Sequence, residues 1–102
     1  MVAREVEVGG FSFVALNEQE ARRIGRTVFE RGEYDVTIPE LSALIIDAGA
    51  HIGVATARIA SRHPGARILA FEPNPELFPL LLRNISANRL AGVEAFQIAL
   101  GA

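Results

Sequence analysis

Between Arg4 and Leu16 polar and apolar residues alternate, with Val6 and Val8 before Gly9-Gly10 and Phe11 and Phe13 after it. A period of two puts alternate side chains on one face, and paired glycines supply the positive φ of a two-residue hairpin turn. The pattern predicts an antiparallel hairpin. From Asn17 the period becomes helical: Ala21, Ile24, Val28 and Phe29 share a face, while Arg22, Arg23, Arg26 and Glu30 turn to water. Asn17 is placed to cap this helix, with Glu20 at the reciprocal capping-box position and Gly32 suited to a left-handed residue past its end at Arg31. Glu33 to Ser42, holding Tyr34, Asp35 and Pro39, reads as an irregular connection.

The rhythm then changes to strand, helix, strand, helix, strand. Apolar runs at about 43–47, 66–71 and 93–98 read as strands covered on both faces. The stretches at about 52–62 and 75–89 have the length of helical crossovers between parallel strands. His63-Pro64-Gly65 ends the first crossover helix, and Asn74 with Pro75 is expected to open the second. Pro79 then falls one turn inside, where it should kink or shorten the helix start.

The fold class is therefore α/β, a partial Rossmann-like arrangement. Residues 1–42 give a hairpin, helix and connection, and residues 43–102 give a βαβαβ half-domain that stops after its third core strand. In doubly wound sheets the first strand is central. Here strand 43–47 should keep an open edge, and self-association through that edge is expected unless the hairpin covers it.

Composition narrows the class. The chain has 102 residues, 50% of them hydrophobic, and a formal net charge of −2, which suits one domain with a real core. Ten basic residues, all arginine and scattered, face twelve acidic ones, so charge gives no case for a nucleic-acid partner. There is no cysteine for a disulfide or thiolate site, and two isolated histidines make no metal site. With no apolar signal region after Met1 and no run of membrane length, a cytoplasmic protein without a membrane partner is expected.

The candidate chemistry sits at two strand ends. Asp47-Ala48-Gly49-Ala50-His51-Ile52-Gly53 follows the first core strand, and Glu72 closes the next. Gly49 allows a ligand close to bare backbone, and Gly53 lets the following helix begin tightly against the sheet. A dinucleotide fingerprint would have glycine at position 47. The carboxylate there repels phosphate and suits a ligand bearing an ammonium group. Glu72, 23 residues beyond Gly49, lies where an acid accepts hydrogen bonds from a ribose diol. Taken alone, His51 reads as a turn residue facing solvent, Asn74 as a cap, and Asn84 with Asn88 as structural bonding groups.

These residues resemble the FkbM family of S-adenosylmethionine-dependent methyltransferases. The likeness rests on the 47–53 turn, on Phe71-Glu72-Pro73-Asn74-Pro75-Glu76, and on Leu82-Arg83-Asn84-Ile85-Ser86-Ala87-Asn88. Glu30-Arg31-Gly32-Glu33-Tyr34 and Ala99-Leu100-Gly101 add to it, so that it runs from about Asn17 to Ala102. The resemblance implies a Rossmann-like methyltransferase fold, S-adenosyl-L-methionine as cofactor, and methyl transfer to a small-molecule acceptor, a sugar or secondary-metabolite hydroxyl. It places Asp47 and Gly49 at the methionine end of the cofactor and Glu72 at its ribose, with Ala50, His51, Gly53, Pro73 and Asn74 around them. His51 stands where the family more often has asparagine, and Ala102 where an acidic or polar residue often follows. Acceptor-binding and catalytic residues would lie beyond position 102, so they are unknown and little turnover is expected from this chain alone. Two other readings share the βαβ plan: a nicotinamide-dinucleotide-binding Rossmann fragment, which Asp47 opposes, and a non-catalytic module that pairs through its open strand edge.

Overall fold

The structure, a computed structural model, describes residues 2–33, 35 and 43–100. Two sheets are present. Strands β1 (Arg4–Val8) and β2 (Phe11–Ala15) form the antiparallel hairpin, with Val8 opposite Phe11 across Gly9-Gly10. Helix α1 (Glu18–Gly25) is capped by Asn17, whose side chain accepts from the Glu20 N–H at 2.9 Å. It runs on into a π-turn at Arg26–Glu30, closed by the Arg31 N–H on the Arg26 carbonyl. Ala21, Gly25 and Val28 are buried and the arginines 22, 23 and 26 are exposed, as the helical period required. The capping box is half-formed: the Glu20 carboxylate is drawn to another element, described below.

Strands β3 (Leu44–Ala48), β4 (Arg67–Phe71) and β5 (Val93–Phe96) make a parallel sheet in the order β3-β4-β5. Helices α2 (Val54–Arg62) and α3 (Phe78–Ala87) are the crossovers. The second begins later than the sequence predicts. Residues 75–77 form a turn in which Asn74 Oδ1 accepts from Glu76 N at 2.8 Å, and no side chain caps the helix at Leu77. Asn74 is thus a turn residue rather than the helix cap. The delay also resolves Pro79, which occupies the second helical position, where its missing N–H has no intrahelical partner to lose.

Coverage on both faces is not what the sheet shows. Ile45, Asp47, Ile68, Ala70, Val93 and Ala95 project to one side, packed with Leu81, Ile85 and Ile59. The alternate positions project to the other, and there Leu44 and Ile46 remain 58% and 57% exposed, and Phe96 38%. Apolar runs predict burial but cannot count layers, and among the described residues only one layer of helix meets this sheet. On that bare face Phe71 and Phe96 stack at 5.3 Å. Among the described residues β3 pairs with β4 alone, and the hairpin does not pair with its free edge.

The hairpin lies instead on α1 and α3. Asn84 and Asn88, one turn apart on α3, each hold β2 with the side-chain amide: Asn84 Oδ1 accepts from Val14 N at 2.7 Å and its Nδ2 donates to Val14 O at 3.1 Å. Asn88 repeats the pattern on Ser12, at 3.2 and 2.8 Å. Four residues of helix advance about 6 Å, close to the roughly 6.7 Å spanned by two residues of strand. Two amides at this spacing therefore act as a short substitute strand. Asp35, gripped by Arg58 at 2.9 and 3.0 Å, ties the segment after the π-turn to α2, and that ion pair holds its carboxyl below the usual carboxylate range. Tyr34 and Pro39 of the connection, and Gly101 and Ala102, lie outside the described residues.

Candidate functional site

The carboxyl ends of β3 and β4 are adjacent and laced together. The Phe71 carbonyl accepts from the N–H groups of both Gly49 and Ala50, at 2.8 and 3.0 Å. Glu72, only 6% exposed, accepts from His51 N through Oε1 at 2.7 Å and from Asn74 N through Oε2 at 3.0 Å. Each oxygen has one backbone donor and retains a second acceptor direction, the arrangement a vicinal diol needs. Glu72 is thus neither a solvated acid nor a loose one. Pro73 and Asn74, exposed beyond it, continue the rim of the site.

The turn between β3 and α2 has three residues with positive φ: Gly49 at 74°, His51 at 57° and Gly53 at 99°. At Gly53 a Cβ would stand 3.0 Å from Leu81 Cδ1, so glycine serves both the left-handed backbone and the close seat of α2 on α3. At Gly49 a Cβ would meet nothing within 4 Å. The space beside that backbone is open to a ligand.

His51 does not face solvent as a turn histidine was expected to. Its Nε2 lies 2.6 Å from Glu20 Oε1 on α1, and its Nδ1 is buried with no hydrogen-bond partner among the described residues. The partnership explains why Glu20 leaves the capping box, and it braces a residue in strained backbone. No local pattern in the sequence announces it, because Glu20 and His51 are 31 residues apart.

Asp47 is 9% exposed, on the covered face of the sheet, and accepts from Thr56 Oγ1 at 2.6 Å. Burial pushes its carboxyl above the ordinary value, Thr56 opposes this, and the nearby Glu72 charge adds to the rise. Its carboxylate is thus turned toward α2 and fastens that helix to β3. An acid with a raised folded pKa favours the folded state most below the unfolded value of 3.8 and loses that advantage as pH climbs toward the raised value. Asp47→Asn is accordingly expected to gain stability over the parent in urea unfolding at pH 7. The difference should shrink as pH falls from 7 toward 4; a gap that widens on acidification would refute the assignment.

Against α1 the turn borders a cavity of about 270 Å³, lined by Arg23, Thr27, Gly49, Ala50, His51 and Val54 among others. Arg23 and Thr27 were not marked by the sequence as site residues, because only the packing of α1 brings them to the turn. Among the described residues no group of three histidines or acids is placed to hold a metal, and no helix is long and apolar enough to cross a membrane.

Known proteins similar to this chain include methyltransferases. Methyltransferase sdnD of Sordaria araneosa is 36% identical over 96 residues, covering 93% of this chain and 37% of the relative. Methyltransferase 1 of Beauveria bassiana is 37% identical over 82 residues, 80% of this chain and 33% of its own. The chain thus spans about a third of the length of the curated relatives it matches. No family model matches it. In three dimensions it resembles M. jannaschii TYW2, solved with AdoMet, at TM-score 0.71 and 22% identity over 95% of this chain and 43% of that one. It also resembles the M. jannaschii tRNA m1G37 methyltransferase, at TM-score 0.66 and 19% identity over 96% of this chain and 28% of that one. The fold is the Rossmann-like methyltransferase fold, in which α/β layers bring two strand ends to one cleft.

Proposed function

We propose that this chain is the S-adenosyl-L-methionine-binding part of a methyltransferase of the FkbM kind, acting on a hydroxyl of a sugar or secondary metabolite. The observation that carries the reading is Glu72. It is a buried, backbone-held carboxylate at the tip of β4, hydrogen-bonded to the turn whose Gly49 backbone is open on its outer side. The residues present fit the cofactor. Glu72 keeps acceptor capacity for a ribose diol, and Gly49 leaves room for the adenosyl chain. The neighbouring Asp47 and Glu72 favour an ammonium-bearing ligand over a pyrophosphate. When bound, the cofactor supplies an electrophilic methyl group on a sulfonium. The described residues hold and orient it, and positioning of this kind is a large part of such catalysis.

A small-molecule acceptor is favoured over a nucleic acid by the net charge of −2. Structural neighbours that act on tRNA share the fold, so exclusion of nucleic acid rests on charge alone. The chain on its own is expected to turn over little methyl acceptor. Isothermal calorimetry with S-adenosylhomocysteine and with NAD, each up to millimolar concentration, tests the proposal. Binding of the former and not of the latter is the expected result. Binding of NAD alone would move the chain to the dinucleotide class. Binding of neither, with stable self-association through β3, would make it an interaction module.

A further inference from the structure

His51 holds Glu72 in place, and its own conformation needs holding. It is not a glycine, yet its φ is 57°, a left-handed backbone that side chains other than glycine seldom adopt and that persists where the surroundings enforce it. In that conformation its N–H reaches Glu72 Oε1 at 2.7 Å. Two helices grip the turn around this bond. From α3, Asn84 Nδ2 donates to the Ile52 carbonyl at 2.8 Å. From α1, Glu20 Oε1 meets His51 Nε2 at 2.6 Å, and a carboxylate only accepts, so Nε2 carries the proton. Glu20 is itself anchored in the first turn of α1, where its N–H donates to the Asn17 cap at 2.9 Å. A capped helix start thus fixes the imidazole, the imidazole fixes the left-handed turn, and the turn fixes one oxygen of Glu72.

We infer that Glu20 is a positioning residue for cofactor binding: through His51 it sets the Glu72 carboxylate in the orientation that receives the ribose diol. The inference rests on the cofactor reading above. Glu20 acts at one remove from the ligand, and its part is to order the turn beforehand so that binding does not have to. Loss of its carboxylate lets His51 relax toward ordinary backbone and withdraws the His51 N–H from Oε1. Glu72, 6% exposed, is then left with the Asn74 N–H on Oε2. The N-terminal helix is on this account part of how the site is built.

The test reads the free chain by amide hydrogen exchange in nuclear magnetic resonance, and its binding by calorimetry. In Glu20→Ala the His51 N–H should lose protection, while the Glu72 N–H, bonded to the Phe96 carbonyl at 3.1 Å, keeps it. S-adenosylhomocysteine and 5′-methylthioadenosine share the ribose, so both should weaken about fivefold, the worth of one hydrogen bond. Glu20→Gln retains an acceptor for Nε2 and should restore both protection and affinity. Glu18→Gln, which removes the exposed partner of Arg22, should change neither. Parent-like affinity or a protected His51 amide in Glu20→Ala would overturn the assignment, and so would absence of rescue in Glu20→Gln. Loss of Glu72 amide protection together with that of His51 would also overturn it, since that marks general loosening. A parent chain that binds neither ligand would overturn the cofactor reading itself, and the exchange comparison would then still decide whether Glu20 orders the turn.

Discussion

Asn84→Ala is expected to lower the unfolding free energy by about 3 kcal/mol or more, measured by urea denaturation. Asn84 is 1% exposed and bonds to three backbone groups: Val14 N, Val14 O and, at 2.8 Å, Ile52 O. Truncation leaves all three without that partner, the Ile52 carbonyl fully buried and the Val14 groups half-buried, and each buried orphan costs about 1–3 kcal/mol. Asn84→Asp should be no better, since it keeps the acceptor for Val14 N but turns a carboxylate toward two carbonyls. Asn88→Ala, at a half-buried position, should cost about 1 kcal/mol. An Asn84→Ala variant as stable as the parent would mean that the hairpin does not rest on α3.

The second large effect concerns the ligand. Glu72→Ala is expected to weaken S-adenosylhomocysteine binding about a hundredfold, since two hydrogen bonds to a charged acceptor are worth about 1.5 kcal/mol or more each. Glu72→Gln should fall between parent and alanine, keeping one acceptor oxygen and losing the charge. Its amide would also have to face one of two backbone donors, His51 N or Asn74 N, so the turn should loosen together with the affinity. Parent-like affinity in both variants would remove Glu72 from the site. Circular dichroism of each variant separates this from unfolding.

Much of this could be read from the chain before any coordinates. The hairpin, the parallel strands and the Asp47, Gly49, Gly53 and Glu72 positions were legible because each follows from something local. Chirality demands glycine at 49 and 53, and a carboxylate ending an apolar strand is conspicuous. What was not legible is carried by contacts between distant segments. The Glu20–His51 pair, Arg23 in the cavity wall and the attachment of Asn84 to Val14 depend on how helices lie on the sheet, and no period encodes that. The start of α3 lies later than the pattern predicts for a related reason. Both Pro75 and Pro79 suit a first turn, and only the Asn74 turn decides between them. The bare sheet face shows the limit of composition: Leu44 and Ile46 have the same character as their buried neighbours and differ only in which way the pleat turns them.

The clasp between β2 and α3 also orders events in time. Its bonds join residues 70 and 76 positions apart, so the hairpin and its support leave the ribosome at widely separated moments. An isolated two-stranded hairpin is marginal in water, and closing so long a loop costs entropy before any contact repays it. The hairpin, synthesised before α3, therefore cannot complete its clasp until α3 has formed.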